Sequence, residues 1–169
     1  SRRIIGWRAS ENLFSQANID ALKMAVDLRA ITRFDHKLIH HSDRGGQYRS
    51  VIYTQKLQVY EIQISMGYSC FDNAFLESAN NIIKNEYLVH RPIQSFNDLI
   101  KYLDKDINLY NTERPHGSLS LMTPVQFEGY ILNIPICQRT LLPIFTDKSK
   151  KNKLLLFNPD DQQLRLMFP

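Results

Sequence analysis

Short runs of β-type residues alternate with longer amphipathic segments along most of this chain, and this alternation limits the fold more than any other feature. Ile62, Ile64 and Met66 alternate with polar residues, which is typical of a strand with one buried face. Between such runs, apolar residues recur at the spacing of helices. The pattern predicts a mixed α/β domain.

The remaining elements follow from local signals. Strands are predicted at residues 4–9 and 37–41, and the predicted helices begin near Asn18, at Ser50, at Asp72, at Ser95 and at Thr123. Ser95 with Asp98 and Thr123 with Pro124 resemble N-terminal caps of helices. After Leu132 apolar clusters alternate with polar runs. We therefore predict a core domain over 1–131 and an appendage over 132–169, for which a β-hairpin is one interpretation.

Composition restricts the functional class only weakly. The chain has 21 Lys and Arg against 17 Asp and Glu, a net charge of +4, which suits a polyanionic partner without proving one. Cys70 and Cys137 are too far apart in sequence for a zinc motif. No apolar run reaches the roughly 18 residues of a membrane span. A cytoplasmic, nucleoid-associated protein is expected, and its true N-terminus is expected upstream of Ser1, because residues 3–7 already read as the inside of a strand.

Two acidic residues are the candidates for metal binding and catalysis. Asp43 closes the predicted strand at 37–41, and Glu77 lies on the helix that starts near Asp72. Carboxylates from separate rigid elements can converge on Mg²⁺, which prefers oxygen ligands. Two such ions can activate a nucleophile and stabilise the leaving oxygen at phosphorus. The alternatives are that Asp43 is only a turn residue and that Glu77 belongs to a solvated helix face.

At these positions the chain resembles a known family, the DDE transposases of bacterial insertion sequences, which share the retroviral-type integrase core. The resemblance covers roughly residues 1–130. It rests on motifs that occur in the family's order: Ser-Arg-Arg-Ile-Ile-Gly-Trp at 1–7, His-Ser-Asp-Arg-Gly at 41–45, Asp-Asn-Ala at 72–74, Glu77-Ser78, Tyr110-Asn111 and Arg-Pro-His at 114–116. It implies an RNase H-like fold, in which a mixed central sheet is flanked by helices.

By this resemblance, Asp43 is the second metal-binding carboxylate and Glu77 is the third. The implied activity is cleavage and strand transfer at transposon ends, with two Mg²⁺ or Mn²⁺ ions, on transposon-end and target DNA, by a homo-oligomer. The family's first carboxylate lies on a strand before the Ser-Arg-Arg segment, so this chain is expected to be inactive alone. The alternatives are a truncated remnant that only binds DNA or partner subunits, and a nuclease of the same fold.

Three further residues are candidates for contacts with DNA. Asn73 and Lys84 are four residues before and seven after Glu77, so they are expected on its helix face. Arg114 precedes Pro115 at the end of the next helix. A solvated lysine explains Lys84 equally well, and a helix-ending turn explains the surroundings of Arg114. Neither His40 nor His41 is chosen as a metal ligand.

Overall fold

A computed structural model describes residues 1–29, 38–67 and 73–139. The predicted helices near Ser50, Ser95 and Thr123 and the strand at Ile62–Met66 are all present, with small shifts at their ends. The elements in chain order are α1 (Ser15–Leu28), β1 (Ile39–Ser42), α2 (Gly46–Arg49), α3 (Val51–Val59), β2 (Gln63–Met66), α4 (Ala74–Ile82), α5 (Phe96–Thr112) and α6 (Pro124–Leu132). Most of the predicted appendage, 140–169, lies outside the described residues.

The sheet positions the first candidate carboxylate. β1 and β2 pair in parallel, with Ile39 opposite Gln63 and Ser42 opposite Met66. The chain passes from one strand to the next through α2 and α3, as parallel pairing requires. Ser50 caps α3, because its side chain accepts a hydrogen bond from the backbone N–H of Tyr53. The described sheet thus has two parallel strands, and β1 ends directly before Asp43.

The prediction of a strand over 4–9 is wrong in one respect. The segment is extended, since Ile5 packs into one core cluster while Ile4 and Trp7 pack against another, but it forms no strand ladder in the described residues. A side chain takes the place of a neighbouring strand at Ile4. The Asn111 amide accepts from the Ile4 N–H at 2.9 Å and donates to the Ile4 carbonyl at 2.8 Å.

The Asn111→Leu substitution is expected to destabilise the protein by about 2 kcal/mol, because it removes two hydrogen bonds and leaves two partly buried backbone groups unpaired. Urea denaturation measures the loss. Asn108→Leu is the matched control, since Asn108 is an exposed asparagine on the same helix. Equal losses in the two variants would contradict the role given to Asn111.

Two apolar clusters form the core. The first joins α1, α3 and the sheet through Leu22, Ala25, Leu38, Tyr53 and Leu57, among others. The second joins the end of α4 to α5, and it contains Ile83, Ile107 and Tyr110. Residues 4–9, called the first segment below, lie directly against α1. Glycine at position 6 permits this approach, because a Cβ there would be 2.1 Å from the carbonyl oxygen of Ala21.

A cavity of about 440 Å³ lies between parts of both clusters. Its lining comes from the first segment, α1, β1, the region of α2 and α3, α4 and its continuation, and α5. Representative residues are Trp7, Leu22, His40, Leu76, Lys84 and Leu103. The cavity therefore borders most of the elements that carry the candidate residues.

Several local predictions need correction. α1 begins at Ser15, so Asn18 lies inside the helix and is not its cap. Ile64, predicted on the buried face of its strand, is 40% exposed to solvent. Phe75, predicted on the apolar stripe of α4, is 52% exposed, and Ala79 and Ile83 are the residues buried there.

Capping and burial of α5 agree with prediction. The Ser95 hydroxyl accepts a hydrogen bond from the Asp98 N–H, which fixes the first turn. Ile107 and Tyr110 are buried, and Leu103 packs against the second cluster. The same helix also buries Asp106 completely, a position that the apolar pattern does not reveal.

Three ion pairs connect the outer elements. Arg91 donates from its guanidinium to both carboxylate oxygens of Asp106, which ties the turn after α4 to α5. Glu128 on α6 accepts from Arg29 at 2.6 Å and from Arg3 at 2.8 Å. Among the described residues, no helix is both long enough and apolar enough to cross a bilayer.

Candidate active site

Asp43 is an exposed carboxylate that follows β1 directly. The N–H of Gly45 donates to its Oδ1 at 2.8 Å, which fixes the side chain over the turn. A Cβ at position 45 would lie 2.9 Å from that oxygen, so a larger residue there would displace the end of the Asp43 side chain. No described residue forms an ion pair with Asp43. Its second oxygen is therefore available to an external ligand.

Glu77 lies in the first turn of α4, and its side chain is exposed. No ion pair or hydrogen bond engages it within the described residues. The helix continues as a π-helical turn, Ile83–Tyr87. Such wide turns are rare, and they are frequent at functional sites. Glu77 thus presents, from the first turn of α4, a carboxylate that no described residue engages.

One cavity is bordered by both of the elements that position the two candidate carboxylates. Leu76, the neighbour of Glu77, lines it from α4, and His40 lines it from β1. Within the described residues, no three side chains of His, Cys, Asp or Glu are grouped to hold a metal ion. The close approach of Asp43 to Glu77 remains a prediction.

The two histidines before Asp43 have different environments. His40 is buried and lies 3.0 Å from the hydroxyl of Tyr53. Burial, followed by the neighbouring His41, lowers the pKa of His40 to about 4, so its ring is neutral at physiological pH. His41 is half-buried, and its Nδ1 lies 2.9 Å from the Ser65 hydroxyl on β2. Both contacts hold β1 in place beside Asp43.

Two of the candidate DNA-binding residues lie on the helix of Glu77. Asn73 immediately precedes α4, four residues before Glu77. Lys84 is exposed at the start of the π-helical turn and has no ion-pair partner among the described residues. Its ammonium is free to meet an anion.

Arg114 is engaged by a residue that sequence reasoning missed. Its Nε and Nη2 atoms donate to the Glu86 carboxylate, with a shortest distance of 2.9 Å. The pair joins the end of α5 to the π-helical turn. Nothing in the local sequence marks Glu86, because the partners are 28 residues apart. The ion pair gives Arg114 a bracing contact and leaves fewer of its donors for DNA.

Comparison with known proteins shows which folds and families this chain is similar to. The family model described as the integrase core domain matches residues 59–124, which include Glu77. The catalytic core domain of HTLV-2 integrase, solved with magnesium in a dimeric form, has a TM-score of 0.51 at 22% identity, over 70% of this chain and 71% of that one. A simian T-cell lymphotropic virus intasome has a TM-score of 0.59 at 17% identity, over 82% of this chain and 48% of that one. These likenesses confirm the RNase H-like fold.

Similar sequences narrow the class. Transposase InsF for insertion sequence IS3A of Escherichia coli is 35% identical over 136 residues, which are 76% of this chain and 45% of that protein. A protein described as a transposase for insertion sequence element IS986/IS6110 of Mycobacterium tuberculosis is 32% identical over 134 residues, which are 76% of this chain and 48% of that protein. Over 76% of its length the chain is thus similar to transposases of insertion sequences. It spans about half the length of these curated relatives.

Proposed function

We propose that this chain forms the catalytic core of an insertion-sequence transposase, which cleaves and joins DNA at transposon ends. The single observation that carries the proposal is the state of its two carboxylates. Asp43 and Glu77 are exposed, free of ion pairs with described residues, and mounted on elements that border one cavity. The similarity to known transposases supports the same role.

The donor set fits a hard divalent cation. Mg²⁺ is typically held by one or two carboxylates, with water and substrate phosphate completing the octahedron. Asp43 and Glu77 would hold such an ion, Mg²⁺ or Mn²⁺. When bound, it would polarise a phosphoryl oxygen and lower the pKa of a coordinated water. The family's two-ion arrangement is part of the proposal, and the magnesium in the HTLV-2 structure supports the use of a divalent ion.

The chain's own residues would orient the substrate. Gly45 fixes one oxygen of Asp43, which would leave the other to coordinate the ion. Lys84 would donate a hydrogen bond to a DNA phosphate, and Asn73 would donate one to the DNA backbone near Glu77. Transposon-end and target DNA are the proposed partners. A homo-oligomer on DNA is also proposed, and the dimeric form of the HTLV-2 core supports it.

Mn²⁺ binding to the purified chain tests the site. Electron paramagnetic resonance follows free Mn²⁺ during a titration, with and without a short DNA duplex. Asp43→Asn and Glu77→Gln are each expected to weaken Mn²⁺ binding by about tenfold or more, because each removes one charged oxygen ligand. DNA is expected to strengthen binding to the unsubstituted chain, because phosphate completes the coordination.

Matched controls keep the result specific. Asp104→Asn and Glu11→Gln remove the same charges from exposed carboxylates that have no ion pair among the described residues. Both are expected to bind Mn²⁺ like the unsubstituted chain. Circular dichroism checks that each variant is folded. Binding that is unchanged in Asp43→Asn and Glu77→Gln, or reduced equally in the controls, would contradict the proposal.

A further inference from the structure

Arg2 is held on an aromatic ring and has no other partner among the described residues. Its guanidinium carbon lies 4.7 Å above the centroid of the Phe75 ring. Phe75 is half-exposed, so this stack is open to solvent at its edge. No described residue shares a hydrogen bond or ion pair with the Arg2 side chain. A guanidinium that lies over an aromatic face keeps its N–H donors in its own plane, where a further acceptor can reach them.

Four other arginines in the described parts of the chain are engaged by acidic groups. Arg3 and Arg29 both donate to Glu128, and Arg91 donates to Asp106. Arg114 donates to Glu86. A guanidinium that forms a bidentate pair with a carboxylate has fewer donors left for phosphate. Arg2 differs from these four, because its positive charge is ordered but not neutralised.

The backbone at Arg2 is also unusual. Its φ is 58°, in the left-handed region that residues with a Cβ adopt rarely. This conformation, together with the ring contact, directs the side chain toward α4. Conformations of this kind persist where the surrounding structure holds them, often at binding sites.

We propose that Arg2, held on Phe75, binds a phosphate of the DNA backbone. The inference rests on the proposed function, since it needs DNA as the partner. Phe75 and Glu77 are two residues apart, which is about 200° around an α-helix. Arg2 therefore approaches a phosphate other than the one at Glu77, and it positions the duplex without taking part in the reaction.

Salt dependence of DNA binding tests this contact. Fluorescence anisotropy with a labelled short duplex gives the binding constant between about 50 and 200 mM salt, a range in which each phosphate contact adds about 0.9 to the slope of log K against log salt. Arg2→Gln is expected to lower that slope by about 0.9. Over this range of salt, binding by the variant would then weaken about threefold less than binding by the unsubstituted chain. Phe75→Leu is expected to weaken binding with the slope unchanged, because the charge remains.

Arg3→Gln is the matched control. It removes the same charge one residue away from Arg2, but the Arg3 side chain is already engaged by Glu128. It is expected to retain the unsubstituted slope. An Arg2→Gln slope equal to that of the unsubstituted chain, or an equal fall in Arg3→Gln, would overturn the inference and leave the proposed function intact. Absence of salt-dependent binding by the unsubstituted chain would instead contradict DNA binding itself.

Discussion

The Glu128→Gln substitution is expected to lower the free energy of unfolding by about 2 kcal/mol near neutral pH, and the loss is expected to shrink in acid. Burial alone would raise the pKa of Glu128, but hydrogen bonds from Arg29, Ser1 and Arg3 outweigh burial and lower it to about 2. The full shift corresponds to about 3 kcal/mol. Solvent near the partly exposed arginines reduces that figure.

The sign of the pH effect follows from the lowered pKa. Glu128 binds a proton more readily in the unfolded chain, whose ordinary carboxyl value is 4.5, than in the folded protein. Its contribution is therefore complete above pH 4.5 and is lost as the pH falls toward about 2. Urea denaturation of both proteins at pH 7 and at about pH 3 measures the change. The exposed Glu11→Gln is the control, and a Glu128→Gln deficit that does not shrink in acid would contradict the assignment.

The Arg91→Gln substitution is expected to destabilise the protein more than Asp106→Asn does. Asp106 is completely buried, so removal of Arg91 leaves a carboxylate without its charged partner. In Asp106→Asn the buried amide still accepts a hydrogen bond from Arg91. We expect Asp106→Asn to lower the free energy of unfolding by about 1.5–3 kcal/mol, the range for a hydrogen bond to a charged group.

A double-mutant cycle separates this pair from general damage to the fold. The combined Arg91→Gln and Asp106→Asn variant is expected to be more stable than Arg91→Gln alone, because no unpaired buried charge remains. Guanidinium is unsuitable as a denaturant here because it screens charge, so urea midpoints are the appropriate measurement. Strictly additive losses would mean that the two side chains do not act as a pair.

Helix starts were predictable because their signals are local. Ser50, Ser95 and Thr123 each accept a hydrogen bond from a backbone N–H three residues later, so the pattern lies within one turn of chain. The cap at Thr123 also includes the reciprocal bond, in which the Thr123 N–H donates to the side-chain oxygen of Gln126. Such signals need no knowledge of the rest of the fold.

Contacts between distant residues were not predictable from the pattern. The Asn111 side chain binds the Ile4 backbone across 107 residues, and this contact replaces the strand ladder expected at the first segment. Likewise, Glu86 engages Arg114, which alone reads as a free DNA-binding arginine. Many residues could partner a polar side chain, and only the folded arrangement selects one.

The candidate site also has features that local sequence predicts and features that it does not predict. The Asp-x-Gly sequence indicates the turn that holds Asp43, since the geometry involves only neighbouring residues. Helical spacing likewise places Asn73 one turn before Glu77, and in the structure it directly precedes α4. The stack of Arg2 on Phe75 has no such signature, because apolar periodicity assigned Phe75 to the core. The approach of the two carboxylates stays a prediction of the motif comparison.

The cavity between the two apolar clusters affects the cooperativity of folding. The first segment contributes Ile5 to one cluster and Ile4 and Trp7 to the other, so it is a principal link across the gap. Where packing is interrupted, the dispersion contacts that make a core unfold as one unit are lost. The region of α4 and α5 can therefore open locally while α1, α3 and the sheet stay packed. Motion of the helix that carries Glu77 is thus separable from motion of the strand that precedes Asp43.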